Sequence, residues 1–189
     1  MLDSLVDEVL PSVTIAVDRS AMDDVQVRPV RPGDGSGCAG AWMDAGRHYA
    51  AIDAEQFQIP THDGLVDWFE RLHANLAADR LVLVACVQQD VAGFVSAVLN
   101  SPQPDAQWEL IRHLGQSRVF VEALVVAERY RRQGVGTALM KEMERWARQQ
   151  GATSVSLRTN LRSPLSMPFY EERMGYTRDG AVFRKRLRS

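Results

Sequence analysis

Residues 121–140 read VEALVVAERYRRQGVGTALM, a buried-strand pattern that passes through a charged turn and a glycine loop into a helix. The order of those parts decides the fold. Gly134 and Gly136 remove side chains where the backbone has to bend and approach a ligand. The first turn of the helix that follows offers N–H groups without intrahelical partners, at the positive end of the macrodipole. A phosphate satisfies both. The loop lacks the Gly-Lys-Ser/Thr ending of a Walker A motif, and one Gly-x-Gly without a third glycine is not a dinucleotide fingerprint.

Arg118 to Ala127 is the strongest strand in the chain. The helix from Gly136 to about Gln150 carries Leu139, Met140, Met143, Trp146 and Ala147 on one face and stops at Gly151. Ser154 to Thr159 reads as the next strand, and Ser166 to Met174 as a helix ended by Gly175. A terminal pair of short strands is expected around Asp179-Gly180. Upstream, Val25 to Pro29 alternates as a strand, Arg31 to Gly35 breaks it, and Cys38 to Tyr49 reads as a helix. A clearer helix spans Asp63 to Ala78, with Leu65, Trp68, Phe69, Leu72, Leu76 and Ala77 on one face. It feeds a buried strand, Leu81 to Gln88, joined through Gln89-Asp90 to Val91–Leu99 as a hairpin. Asn100 to Ser117 is a long connection with one turn of helix. This order predicts an α/β fold on a mixed sheet, a single domain over residues 25–189. Residues 1–24 form an arm in which Leu2, Leu5, Val6, Val9 and Leu10 suit a short helix.

Composition narrows the partners. The chain has 189 residues, 46% of them apolar, and a net charge of −2, so no overall cationic field draws it to nucleic acid or an anionic membrane. Cys38 and Cys86 are far apart, in no ligand-like spacing, and read as free thiols. His48, His62, His73 and His113 show no metal-ligand grouping, so no metal is expected; His73, on the polar side of its helix, reads as solvated. No run approaches a membrane span, and Asp3, Asp7 and Glu8 stand where a signal peptide carries positive charge. A cytoplasmic location is the expectation.

Arg131-Arg132-Gln133-Gly134-Val135-Gly136 matches the Arg/Gln-x-x-Gly-x-Gly/Ala signature of the Gcn5-related N-acetyltransferase family. Leu124-Val125-Val126, the Glu128-Arg129-Tyr130 turn and the block from Phe169 to Tyr176 resemble the same family, so the likeness covers Val119 to Tyr176. The resemblance implies a mixed, mostly antiparallel central sheet flanked by helices, acetyl-CoA as co-substrate, and direct acetyl transfer to a primary amine in a ternary complex. It implies that the pantetheine arm pairs with the backbone of Leu124, Val125 and Val126, which requires a bulge or a splayed strand edge. Arg131, Arg132, Gln133, Gly134, Val135, Gly136 and Thr137 would hold the phosphates, with one of the two arginines left in solvent.

By the same resemblance Tyr170 would protonate the departing thiolate, and Asn160 would contact the cofactor or order a water. Glu122, in an otherwise apolar strand, needs solvent or a partner and is the candidate base. A strand N–H near Val125 or Val126 would stabilise the oxyanion. Neither cysteine lies in the motif, so no acyl-enzyme is expected. Specificity falls to Arg47–His62 and Asn100–Ser117, where Tyr49, Asp53, Glu55, Phe57, Trp108 and Glu109 could receive a cationic amine or line a homodimer contact. The alternative is a non-catalytic acetyl-CoA sensor. The fold and cofactor motif do not encode the acceptor.

Overall fold

The computed structural model describes residues 25–185 and Leu187; the arm expected over residues 1–24 lies outside the described residues. Five strands form one sheet in chain order: β1 (Val25–Pro29), β2 (Arg80–Val87), β3 (Asp90–Asn100), β4 (Arg118–Val126) and β5 (Ser154–Leu157). Each neighbouring pair is antiparallel except β4 and β5, which are parallel because a helix carries the chain from one to the other. That helix, α3 (Val135–Gln149), covers one face, while α1 (Gly35–Ile52) and α2 (Leu65–Ala74) cover the other. The chain is therefore the mixed, mostly antiparallel α/β fold that its sequence predicts.

Two cores follow from this layering. Leu83, Ala85, Val95, Ala97, Val119 and Val121 pack against Val135, Leu139, Met140, Met143 and Ala147 of α3. On the opposite face Val84, Cys86, Phe94 and Val125 pack against Cys38, Ala39 and Ala41 of α1 and Leu65 and Phe69 of α2. Small residues bring α1 down onto the sheet: a Cβ at Gly37 would collide with the Val91 side chain. The N-terminus of α1 is held from α2, since Glu70 accepts hydrogen bonds from Gly33 N–H at 3.1 Å and Gly35 N–H at 2.7 Å. Asp34 turns the other way and pairs with Arg28 at 2.7 Å and 2.8 Å while accepting the Arg31 N–H.

Strand β4 contains the decisive irregularity. Ser96 faces Ala123 and Ala97 faces Val121, so Glu122 is an extra residue bulged out of the β3–β4 ladder. Ahead of the bulge Val119 and Val121 point at α3; beyond it Ala123, Val125 and Ala127 point at α1, and Leu124 and Val126 take over the α3 side. Pairing with β5 ends at the same place, because only Arg118–Val121 meets Ser154–Leu157.

Several sequence expectations shift. Helix α1 starts three residues earlier and ends three later than its apolar pattern suggests. Helix α2 ends at Ala74, and its buried face runs through Leu65 and Phe69, leaving Trp68 and Leu72 exposed. His73, one turn beyond Phe69, shares that face; its ring lies 5.6 Å from Phe69, and Nδ1 is buried without a hydrogen-bond partner among the described residues. The side chain is half-buried rather than fully solvated, and burial lowers its pKa. The hairpin turn is Gln88-Gln89, with Gln88 at φ 57°, one residue before the expected pair. The long connection holds two short 3₁₀ turns, Ala106–Trp108 and Arg112–Gly115. Among the described residues no strand forms around Asp179-Gly180. Strand β5 offers only four residues to pair with, and Val182 and Phe183 find no apolar surface, remaining 65% and 94% exposed. No helix among the described residues is long and apolar enough to cross a membrane.

Candidate functional site

Beyond Val121 the two parallel strands diverge, and the backbone of β4 from Glu122 to Val126 has no β5 ladder on that side. The gap opens into a cleft of about 1710 Å³. Its walls come from Phe120 to Val125 of β4, from Ser154 to Arg162, from Tyr49, Asp53 and Phe57 at the end of α1, and from Tyr170. Of the three strand residues expected beside a cofactor, Leu124 and Val125 line the cleft, and Val126 lies at the far end of the open edge.

The glycine loop stands at that end. Arg132 and Gly134 adopt left-handed conformations, φ 65° and 85°, and turn the chain into α3, whose first turn has no side-chain cap. Gln133 reaches back to the Arg129 carbonyl at 2.7 Å, and Val135 and Thr137 are buried. A Cβ on Gly136 would lie 3.4 Å from Phe169 and 3.6 Å from Val126, so the glycine is where α3, β4 and the Phe169 turn converge. Arg131 turns inward: its Nε and NH2 donate to the Val126 and Asp44 carbonyls, both at 3.3 Å. Arg132 is exposed.

Tyr170 is delivered by a short helix, α4 (Ser166–Pro168), that widens into a π-helical turn over Phe169–Arg173. Met174 N–H bonds back to the Phe169 carbonyl at 3.0 Å, the wider spacing found at single-turn π-bulges. The Tyr170 ring stands edge-on to Phe169 and Tyr176, and its hydroxyl has no hydrogen-bond partner among the described residues. Burial, with Tyr49 nearby, pushes the phenol above its usual range, so it keeps its proton throughout neutral pH. Asn160 lines the cleft, with Oδ1 accepting the Arg162 N–H at 2.8 Å in a local turn. Glu122 also lines it; Oε2 takes Arg80 NH1 at 2.5 Å and Ser96 Oγ at 3.0 Å, leaving Oε1 without a partner among the described residues.

The structure adds residues that the sequence did not single out together. Tyr49 Oη lies 2.9 Å from Ser166 Oγ and 3.4 Å from Thr159 Oγ1, and its ring stacks 5.0 Å from Phe57. Ser163, 1% exposed, bonds Ser166 and His48, and Asp53 pairs with Arg162. No local pattern marks this cluster, because His48 and Ser163 are 115 residues apart. Trp108, expected at the acceptor site, is 77% exposed and outside the cleft walls. Cys38 and Cys86 are free and buried, and burial pushes the Cys38 thiol up to about 12, so it is no nucleophile.

An open strand edge that ends at an uncapped helix N-terminus defines an α/β protein suited to an extended ligand with an anionic end. The family model described as the acetyltransferase (GNAT) family matches residues 42–176, and the chain belongs to that family. Solved structures share the fold at low identity. An acetyltransferase from Trypanosoma brucei is 21% identical with a TM-score of 0.56, over 87% of this chain and 100% of that one. An aminoglycoside acetyltransferase from an uncultured soil metagenomic sample, in complex with sisomicin, is 15% identical with a TM-score of 0.57, over 88% and 99%. A transcriptional regulator from Bacillus halodurans is 18% identical with a TM-score of 0.60, over 86% and 99%. No curated protein matches the chain.

Proposed function

We propose that the chain is an N-acetyltransferase that takes the acetyl group of acetyl-CoA and passes it directly to a primary amine of a small molecule or peptide. The observation that carries this reading is the unpaired edge of β4 from Glu122 to Val126, which runs from the cleft to the N-terminus of α3. The residues fit the co-substrate: on the side of β4 away from β3 the backbone from Leu124 to Val126 has no strand partner among the described residues and, apart from the Val126 carbonyl taken by Arg131, can pair with an amide-bearing arm, and the N–H groups of Val135, Gly136 and Thr137 suit its pyrophosphate. A thioester bound there supplies an activated acetyl carbon. Arg131 braces the loop from behind through the Val126 and Asp44 carbonyls, and Arg132 is the arginine free for phosphate. Asn160 and Thr137 complete the cofactor side.

In this reading a strand N–H near Val125 stabilises the developing oxyanion, and Tyr170 donates its proton to the leaving sulfur. The acceptor approaches along Tyr49 and Phe57, an apolar wall suited to the body of an amine. Glu122 draws its cationic head through Oε1, while Oε2 stays with Arg80 and Ser96. Release of coenzyme A thiol against an amine panel, with mass spectrometry of the products, tests the activity. Acetyl-CoA binding without thiol release from any amine would leave a binding module in place of an enzyme.

A further inference from the structure

A chain of hydroxyls leads away from the acceptor wall. Tyr49 Oη lies 2.9 Å from Ser166 Oγ, Ser163 Oγ donates to Ser166 Oγ at 3.0 Å, and Ser163 Oγ lies 3.3 Å from His48 Nε2. Tyr49 lines the cleft, whereas His48 does not, so the chain connects the cleft to a group outside it. Ser163 is buried and its Oγ accepts the Ser166 N–H at 3.2 Å, which leaves its own proton for a neighbouring hydroxyl or for the imidazole.

We propose that His48 is the proton sink of the transfer, reached from the acceptor amine through Tyr49, Ser166 and Ser163. The inference rests on the acyl-transfer reading above. As the amine nitrogen bonds to the acyl carbon it becomes cationic, and one N–H must leave before the C–S bond breaks to give amide and thiol. Once the Ser163 and Ser166 hydroxyls rotate away from the resting bond in which Ser163 donates to Ser166, that proton passes to Tyr49 Oη, the Tyr49 proton to Ser166, the Ser166 proton to Ser163 and the Ser163 proton to His48 Nε2. Each hydroxyl ends neutral and the imidazole ends as imidazolium, while the proton on sulfur comes separately from Tyr170.

Two features favour His48 over Glu122 for this task. Glu122 Oε2 is occupied by Arg80 and Ser96. His48 faces Arg131 and Glu128 from the turn after β4; burial and then Arg131 lower its pKa, against the smaller opposing pull of Glu128. The imidazole is therefore neutral at pH 7 and able to accept.

The test is kcat against pH with one accepted amine for the wild type, His48→Gln, Tyr49→Phe and Glu122→Gln, together with imidazole added to His48→Ala. The relay predicts that His48→Gln and Tyr49→Phe each lower kcat by about 10- to 100-fold with KM for acetyl-CoA unchanged. It also predicts that His48→Gln loses the acidic limb of the profile, and that imidazole restores turnover to His48→Ala but not to Tyr49→Phe. A His48→Gln profile superimposable on the wild type, imidazole without effect on a folded His48→Ala, or an acidic limb lost only in Glu122→Gln would overturn it. Absence of thiol release from the wild type with every amine would instead refute the transferase reading, and the relay with it.

Discussion

Tyr170 combines three properties at one residue: a place on the cleft wall, a hydroxyl without a protein partner among the described residues, and a phenol that burial keeps protonated. A group so placed loses nothing internal when it gives up its proton. Tyr170→Phe should therefore lower kcat by about tenfold to ten-thousandfold, the span from partial rescue by water to the usual ceiling of acid catalysis. Its acetyl-CoA affinity, measured by calorimetry, should stay near that of the wild type, because no hydrogen bond within the protein is lost. Equal turnover in the two forms, at a pH where chemistry limits the rate, would move the acid role to another group. The same economy is absent at Asn160, whose Oδ1 already closes a turn, and at Glu122, whose Oε2 is doubly engaged.

At the scale of elements, close approaches fix the open edge of β4. A Cβ at Gly93 would collide with the Val125 carbonyl, on the stretch of backbone proposed to pair with the cofactor arm. Gly93→Ala should cost about 1–3 kcal/mol of stability by overpacking and also weaken acetyl-CoA binding, read from urea unfolding and calorimetry. Undiminished affinity would mean that this stretch of β4 does not meet the ligand. Gly136 gives a graded version of that experiment: alanine fits in ordinary contact with Phe169, whereas leucine fills the junction and should reduce affinity more than tenfold with the fold retained. The loop and α3 were legible in the sequence because glycine spacing and helical periodicity are local signals. So was the sheet, from apolar runs and the hairpin. The bulge was not, because no residue type marks position 122 as the extra one; only the β3 partner register does. The buried face of α2 was misjudged since Trp68 and Leu72 repeat with the same period as Leu65 and Phe69, and the Tyr49–Ser166–Ser163–His48 chain joins segments that sequence proximity never links.

For the whole molecule, three titrating groups act in one direction. Burial alone would raise Asp34, but the Arg28 guanidinium and the Arg31 N–H outweigh it and hold the carboxyl below its ordinary 3.8. Burial lowers both His48 and His73 below 6.5. At each of these groups the unfolded chain binds protons more readily than the native one, so stability rises with pH. It should be complete above pH 6.5, decline first as the histidines protonate and fall again below 3.8 as Asp34 does. Urea midpoints from pH 8 to pH 3 measure this; a midpoint that climbs as pH drops from 7 to 5 would contradict it. Asp34→Asn should flatten the lowest part of the curve and cost about 2 kcal/mol at neutral pH, less than a fully buried pair because Arg28 keeps a quarter of its side chain in water. The bulge at Glu122 also has a molecule-wide consequence. Nine residues of β4 run beside eight of β3, so the strand is one residue longer than its template requires. Position 122 is thereby fixed in length while remaining free in chemistry: exchanging its side chain leaves both helices packed as before. Deleting it would leave every later side chain of β4 opposite the same β3 partner and on the same helix, but would remove the bulge at which β4 parts from β5.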